Sequence, residues 1–171
     1  MCTVGPYKFT LPKNTKGVIY VVRDPRDVLV SYSYHMGLDY EKSLESLSSS
    51  YNFEDALFDE SRYKISLMGT WSEHYKSWKN YESCKVLIVK YEDMIMNESG
   101  TFKRIIDYLH EIDGTQYIEE NFDKALKQSK FEELKKLEEI EGFSEKGKGD
   151  RFFRKGKTGT WRDELPNSII N

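Results

Sequence analysis

The chain has 171 residues, of which 38% are hydrophobic and 14% aromatic, and its 26 Lys and Arg against 29 Asp and Glu residues give a formal net charge of −3. This length gives room for one domain with a real core, and the hydrophobic share excludes an intrinsically disordered chain. The nearly balanced charge argues against a general nucleic-acid or polyanion binder, although a local basic cluster can still bind one small anion.

The two cysteines, Cys2 and Cys84, give neither a disulfide framework nor the spacing of metal ligands, and they suit a reducing compartment. No apolar run approaches the length of a membrane-spanning helix, and the first residues lack the pattern of a signal peptide. We therefore expect a cytoplasmic protein that binds no metal, no nucleic acid and no membrane.

In chain order, the first informative stretch is a strand followed by a tight turn and a helix. Residues 1–16 contain prolines and show no periodicity, which predicts a loop or tail. Residues 18–22 form an unbroken, mostly β-branched apolar run, which is typical of a strand buried on both faces of a parallel sheet. Asp24 and Pro25 then supply a helix cap and a first-turn residue, and apolar residues recur at helical spacing as far as Met36.

Arg23 lies where this strand ends and the helix begins, and ligands bind at that edge of an open α/β sheet. The free N–H groups of the helix and its dipole favour an anion there, and Ser31, two turns into the helix, adds a hydroxyl. Together these groups predict a phosphate site. The alternative is an arginine that only pairs with Asp24 or Asp27, the second of which also has the position of a helix-capping acid.

The middle of the chain is predicted to be mostly helical. Residues 84–89 form the second buried strand, and Tyr91 follows it as Arg23 follows the first. Gly69 indicates close packing or a boundary within its helix. The helices predicted from apolar spacing cover residues 40–47, 53–58, 63–81, 102–109, 117–126 and 131–140.

Residues 151–162 form the most basic stretch of the chain, after a polar loop at residues 142–150. Arg154 and Lys155 supply positive charge, and Gly156 lets backbone N–H groups approach a phosphate closely. A solvated basic tail is the alternative for this stretch taken alone. Considered with the strand-end arginine, it supplies a second part of one phosphate site.

Only two strands are convincing, and a lone parallel pair makes a poor sheet, because parallel sheets need several strands covered on both faces. We therefore expect one partial domain over residues 1–171, whose remaining strands would lie before Met1. The apolar edge left open would favour self-association or a partner chain. Within this domain we expect a loop or tail at 1–16, an α/β core at 17–141, and the basic loop and C-terminal tail at 142–171.

Four segments together resemble the cytosolic-type sulfotransferase family. YVVRDPRDVLVSYSYH is similar to its 3′-phosphate motif, FFRKGKTGTWRDEL to its C-terminal motif, VLIVKYEDM to a strand ending in Tyr-Glu-Asp, and QSKFEELKK to its adenine segment. They follow in the family's order from about Gly17 to Leu165. The resemblance implies an α/β fold with a parallel sheet flanked by helices, like that of P-loop nucleoside triphosphatases, here helix-rich and incomplete, without the N-terminal strands and the phosphosulfate loop.

The resemblance also implies a ligand and the residues that hold its phosphate. Members of this family transfer a sulfuryl group from 3′-phosphoadenosine 5′-phosphosulfate (PAPS) to a hydroxyl or amine and release adenosine 3′,5′-bisphosphate (PAP), with no metal. By this resemblance the 3′-phosphate would be held by Arg23, Ser31, Arg154, Lys155 and Gly156.

For the adenine, the resemblance implies three further residues. Tyr91 would face the base, Ser129 stands where the family often has Thr, and Phe131 would stack on the purine. A position in the core of its helix is the alternative for Phe131. Arg162 replaces the Lys that is usual in the C-terminal motif, so its role stays unassigned.

Two parts of the family's site are expected to be missing. No segment matches the Pro-Lys-Ser-Gly-Thr-Thr-Trp loop that binds the 5′-phosphosulfate, and no Lys-Thr-His supplies the base. The catalytic residues and the acceptor are therefore unknown, and we expect no catalysis by this chain alone. The chain would then be an inactive remnant, half of a split enzyme completed by a partner chain, or a nucleotide-binding module without chemistry.

Overall fold

A computed structural model of the chain describes residues 3–4, 7–8, 14–49, 53–56, 64–67, 69–114, 116–144 and 147–170. The strands are β1 (Thr3–Val4), β2 (Tyr7–Lys8), β3 (Gly17–Val22), β4 (Phe53–Ala56), β5 (Lys64–Leu67) and β6 (Lys85–Lys90). The helices are α1 (Pro25–Met36), α2 (Tyr40–Ser48), α3 (Trp71–Lys79), α4 (Tyr91–Met96), α5 (Glu98–Asp113), α6 (Glu119–Gln128), α7 (Phe131–Glu141), α8 (Trp161–Glu164) and α9 (Asn167–Ile170). Within these ranges no helix is both long enough and apolar enough to cross a membrane.

β3 and β6 pair in parallel, which confirms the two predicted core strands. Their register runs from Gly17 beside Lys85 to Val22 beside Lys90, so the two strands end level with each other. A helix follows each strand, α1 after β3 and α4 directly after β6, and both α4 and α5 pack against β6. The chain therefore has the predicted α/β architecture, a small parallel sheet with flanking helices.

Two helix predictions are wrong. The segment predicted as a helix over residues 53–58 contains β4, which pairs antiparallel with β5, and the helix predicted from residue 63 begins only at Trp71. Gly69, at φ +64°, separates β5 from α3. The spacing of apolar residues in a short window cannot reveal a partner strand elsewhere in the chain, which is why β4 and β5 were missed. Residues 1–16, predicted as a loop, likewise contain an antiparallel pair, β1 and β2.

β3 is not buried on both faces, contrary to the prediction. Ile19 is 37% exposed and Val21 is 48% exposed, whereas the flanking residues Val18, Tyr20 and Val22 are half-buried. Successive side chains of a strand point to opposite faces of the sheet. Among the described residues, therefore, one face of β3 meets solvent. The apolar run identified the strand correctly but not what surrounds it.

The chain divides into two compact units, of which the first comprises residues 1–22 and 77–129. In this unit the hydroxyl of Tyr108, on α5, joins the two core strands. It accepts a hydrogen bond from the Val18 N–H at 2.8 Å and donates one to the Lys85 carbonyl at 2.6 Å. Tyr108 is 4% exposed, and a Cβ on Gly17 would collide with its hydroxyl. The small residue thus allows α5 to pack closely on the sheet.

The second unit comprises residues 23–76 and 130–171. Its core joins α1 to the C-terminal segment: Leu29 and Val30 of α1 pack with Trp161 of α8 and with Leu165 just after it. These four residues are at most 9% exposed. The partly buried side chains around them are those of Tyr40, Leu47, Ile169 and Ile170. This core fixes the end of the chain against α1, the helix that follows Arg23.

Candidate functional site

The first turn of α1 is capped as predicted. The Asp24 side chain accepts a hydrogen bond from the Arg26 N–H at 2.9 Å, and Pro25 is the first helical residue. The Arg26 guanidinium also donates to Asp24 Oδ1 at 2.9 Å and to Oδ2 at 2.7 Å. These side-chain hydrogen bonds lower the pKa of Asp24, although burial acts in the opposite direction. The cap holds the chain in a defined conformation directly after Arg23.

Arg23 reaches the basic loop, a name used here for residues 154–160. Its Nη2 donates a hydrogen bond to the Lys157 carbonyl at 2.9 Å and lies 3.8 Å from Oδ2 of Asp27. The Arg23 side chain is only 22% exposed. The ion pair with Asp27 that the alternative interpretation expected is therefore present. The same guanidinium nevertheless contacts the loop that was predicted to share its ligand.

Asp27 binds the C-terminal end of the basic loop and the residue after it, a role that the sequence interpretation missed. It is 1% exposed. Its Oδ2 accepts a hydrogen bond from the Gly159 N–H at 2.6 Å, and its Oδ1 accepts from the Trp161 N–H at 3.0 Å and the Thr160 hydroxyl at 3.3 Å. The available signal in the sequence was that Asp27 lies four residues after Arg23, which suggests an ion pair between the two. That spacing does not reveal the hydrogen-bond donors to Asp27, which lie more than a hundred residues further along the chain.

Arg154 and Lys155 both pair with Glu164 of α8. Arg154 donates from Nη1 and Nη2 to the two oxygens of Glu164 at 2.6 and 3.2 Å, and the Lys155 Nζ lies 3.0 Å from Oε1. Burial raises the pKa of the Glu164 carboxyl, but hydrogen bonds from Arg154 and Lys155 outweigh it and lower the pKa from 4.5 to about 2. The cations predicted to bind phosphate therefore already hold one anion of their own chain.

This pairing makes the stability of the second unit depend on pH. A carboxyl whose pKa is lower in the folded than in the unfolded chain stabilises the fold fully above its unfolded pKa. For Glu164 that contribution is lost as the pH falls from about 4.5 towards about 2. We expect Glu164→Gln to destabilise the chain by about 1–3 kcal/mol at pH 6, because it removes hydrogen bonds to a charged group, and to cost progressively less below pH 4.5.

Urea unfolding at pH 6 and pH 3.5 checks this expectation. Glu133→Gln is the matched control, because Glu133 pairs with Lys136 at 2.7 Å but its side chain is 51% exposed, against 16% for Glu164. An exposed ion pair contributes little, so the control should change the free energy of unfolding by less than about 1 kcal/mol at either pH. Equal effects of the two substitutions at pH 6 would contradict a special role of Glu164.

Three other predicted residues lie in the same unit. Ser31 is exposed on α1, four residues beyond Asp27 and so on the same face of the helix. Gly156, at φ +59°, lies against the ring of Phe131, and a Cβ there would collide with that ring. Phe131 is the first residue of α7 and is half-buried. Its ring packs edge-to-face with that of Phe153, and the two ring centres are 6.1 Å apart. The structure thus brings Phe131 to the basic loop.

The remaining two predicted residues, Tyr91 and Ser129, belong to the first unit. Tyr91 is the first residue of α4, directly after β6, and is half-buried. Ser129 is the C-cap of α6, where its hydroxyl donates a hydrogen bond to the Leu126 carbonyl at 3.3 Å, and it is exposed. The position of Tyr91 after the strand is the predicted one. Their part in a nucleotide site stays a prediction.

A cavity of about 440 Å³ lies beside α1 in the second unit. Tyr34 and Tyr40 line it together with the Arg154–Glu164 pair. The Arg154 guanidinium lies 5.4 Å from the centre of the Tyr34 ring, and the Tyr34 hydroxyl accepts a hydrogen bond from the Asp150 N–H at 3.0 Å. This volume is within the usual range for small-molecule pockets. In the part of the chain that the structure describes, no cluster of three His, Cys, Asp or Glu side chains could hold a metal ion.

Sequence comparison identifies one family and several relatives. Residues 6–171 match the family described as "Sulfotransferase domain". The chain is 35% identical over 155 residues to Sulfotransferase 2A6 from Mus musculus, an alignment that covers 86% of the chain and 50% of that protein. It is 30% identical over 169 residues to Cytosolic sulfotransferase 17 from Arabidopsis thaliana, covering 90% of the chain and 46% of the relative. The chain thus spans about half the length of these curated relatives.

Solved structures show the same fold. Mouse sulfotransferase SULT7A1, in a complex with PAP, superimposes with a TM-score of 0.64 at 21% identity, covering 92% of this chain and 56% of the other. Retinol dehydratase, in a complex with androsterone and the inactive cofactor PAP, superimposes with a TM-score of 0.59 at 27% identity, covering 89% of this chain and 43% of the other. Both likenesses extend over most of the described residues.

Proposed function

Because this chain belongs to the sulfotransferase domain family, we propose that it binds PAP and its sulfuryl-carrying form PAPS. The intact protein then transfers the sulfuryl group from PAPS to a hydroxyl or amine. The match to a sulfotransferase domain and the PAP present in retinol dehydratase, at 27% identity, support this proposal. The name of the Arabidopsis relative supports a cytoplasmic location.

One observation carries the proposal: the hydrogen bond from Arg23 to the Lys157 carbonyl. It joins the arginine at the end of β3 to the loop that contains Arg154, Lys155 and Gly156. A 3′-phosphate carries up to two negative charges, and planar guanidinium groups bind phosphate oxygens through two parallel hydrogen bonds. Two arginines, a lysine and a glycine with positive φ in one compact unit form a donor set that fits this group. Ser31, exposed on α1, would add a hydroxyl.

Arg154 and Lys155 would bind the phosphate by exchanging Glu164 for it. A carboxylate brings one negative charge to these donors, whereas a phosphate monoester brings between one and two near neutral pH. Glu164 therefore keeps the two cations close together in the absence of nucleotide. The phosphate then competes for positions that are already organised, which lowers the entropy cost of binding.

Phe131, Tyr91 and Ser129 would provide the adenine end of the site, as the resemblance implies. Phe131 has the strongest structural support of the three, because its ring lies against Gly156 of the basic loop. Stacking of a base on an aromatic side chain contributes about 1–3 kcal/mol. The ring of Phe131 would therefore bind the base next to the residues that bind the phosphate.

In the transfer reaction, bound PAPS supplies the sulfuryl group, and an acceptor needs a base to remove its proton. The residues of this chain bind and orient the 3′-phosphate and adenine, and none of them matches the base or the 5′-phosphosulfate loop of the family. We therefore expect the 171-residue chain alone to bind nucleotide without transferring sulfate. Sulfation of acceptors by the purified chain alone would contradict this expectation.

The other half of the domain, from a partner chain or the same protein, would cover the exposed face of β3.

Calorimetric titration of the chain with PAP tests the proposal. Wild type is expected to bind, and Arg23→Ala and Arg154→Ala should each weaken binding about 10- to 100-fold, since a hydrogen bond to a charged group contributes about 1.5–3 kcal/mol. Lys42→Ala, which removes a 68% exposed cation paired with Asp39, is the control and should leave the affinity unchanged. No binding by folded wild type would contradict the proposal.

A further inference from the structure

Asp27 is a fully buried charge at the beginning of α1. Its side chain is 0% exposed, and it is the third residue of the helix. Burying a carboxylate costs free energy unless hydrogen bonds and an opposite charge compensate for it. Here both oxygens are occupied by hydrogen-bond donors, and the guanidinium of Arg23 lies 3.8 Å away. The hydrogen bonds and the nearby guanidinium therefore fix the position of the Asp27 carboxylate.

The three donors to Asp27 come from one segment of the chain. The backbone N–H groups of Gly159 and Trp161 and the hydroxyl of Thr160 converge on the carboxylate at 2.6, 3.0 and 3.3 Å. These residues lie three to five positions after Gly156. Arg23 holds the same loop through the carbonyl of Lys157. The start of α1 thus fixes the basic loop at two neighbouring points, one through a cation and one through an anion.

Asp27 also stands beside the arginine proposed to bind phosphate. The donors of a guanidinium lie in one plane, so its orientation decides whether two of them reach the same phosphate. A carboxylate at 3.8 Å favours one orientation of the Arg23 guanidinium. Asp27 therefore acts on both halves of the proposed phosphate site, the strand-end arginine and the basic loop.

We propose that Asp27 is the positioning residue of the 3′-phosphate site: it holds Arg23 and the basic loop in the arrangement in which both face one phosphate. The inference rests on the proposed function, because it assigns the residue that organises that same site. Asp27 does not itself contact the nucleotide. Its loss should weaken recognition of the 3′-phosphate specifically, while contacts with the rest of the nucleotide persist.

The test compares PAP with adenosine 5′-monophosphate (AMP), which lacks the 3′-phosphate. Asp27→Asn keeps the shape of the side chain but removes its charge and one acceptor oxygen. We expect wild type to prefer PAP, and Asp27→Asn to lower PAP affinity at least tenfold while AMP affinity changes less than threefold. This magnitude follows the 10- to 100-fold losses seen when residues that orient metal ligands are replaced.

Asp39→Asn is the matched control, because Asp39 caps α2 through the Lys42 N–H at 2.8 Å, as Asp24 caps α1. It should leave the ratio of the two nucleotide affinities unchanged. If Asp27→Asn fails to fold, Thr160→Val replaces it, since it removes the hydroxyl donor at 3.3 Å and keeps both backbone donors to Asp27. Thr160→Val should then lower the PAP preference by a smaller factor, about two- to fivefold, and an unchanged preference in that variant would overturn the positioning role.

The outcomes separate this inference from the proposed function. A wild-type chain that prefers PAP, with a folded Asp27→Asn variant that keeps the full preference, overturns the positioning role alone. A wild-type chain that binds PAP and AMP equally overturns the proposed 3′-phosphate site and this inference with it. Selective loss of the PAP preference in Asp27→Asn, but not in Asp39→Asn, supports both.

Discussion

Trp161→Ala is expected to destabilise the chain by about 3–5 kcal/mol, the usual cost of truncating a buried aromatic residue. Trp161 is 9% exposed and packs with Leu29, Val30 and Leu165 in the core of the second unit. The Arg26 guanidinium also lies 3.7 Å from the centre of its ring. The substitution leaves a cavity between α1 and α8 and removes a cation–π contact. Urea unfolding at neutral pH measures the loss.

Two comparison variants identify the cause of that loss. Phe152→Ala truncates an aromatic side chain that is 42% exposed, and it should cost less than about 2 kcal/mol. Trp161→Phe should recover most of the loss, because the buried indole N–H has no hydrogen-bond partner among the described residues. Equal destabilisation by Trp161→Ala and Phe152→Ala would contradict the assignment of Trp161 to the core.

Gly156→Ala is expected to have the second largest effect, on both stability and PAP binding. Gly156 has φ +59°, where a side chain costs about 1–2 kcal/mol, and an added Cβ would also collide with the ring of Phe131. The loop or the ring must therefore move. Because both belong to the proposed nucleotide site, we expect PAP affinity to fall at least tenfold. Calorimetry and urea unfolding measure the two effects.

Gly114→Ala is the matched control for Gly156→Ala. Gly114 has φ +76°, and nothing lies within 4 Å of the position that its Cβ would take. Gly114→Ala therefore loses stability through the positive φ alone, without a collision. The difference in stability loss between the two variants measures the effect of the collision with Phe131. Similar losses of stability in both, with PAP binding preserved, would contradict the packing of Phe131 against the basic loop.

The parts of the fold that the sequence predicted correctly depend on local signals. The apolar runs identified β3 and β6, and Asp24 followed by Pro25 marked the start of α1, because a cap is read from neighbouring residues. The exposure of Ile19 and Val21 was missed, since an apolar run predicts a strand but does not specify what covers it. β4 and β5 were missed because pairing depends on a second segment.

In the candidate site, too, the sequence predicted the residues with local signals and missed the contacts between distant residues. Arg23 and the basic loop could be identified from charge, glycine and position at the end of a strand. The pairing of Arg154 and Lys155 with Glu164 could not be predicted, because the chain has many acidic residues and the sequence does not show which of them pairs with these cations. The role of Asp27 depends on donors 132 to 134 residues away. Only the folded chain brings them together.

The most direct test of the account is the ratio of the AMP and PAP dissociation constants, measured by calorimetry for wild type and for Arg154→Ala. A charged hydrogen bond to the 3′-phosphate contributes about 1.5–3 kcal/mol, so we predict that wild type prefers PAP at least tenfold and that Arg154→Ala loses most of this preference. Equal affinities of the folded wild-type chain for the two nucleotides would contradict a 3′-phosphate site formed by Arg23 and the basic loop.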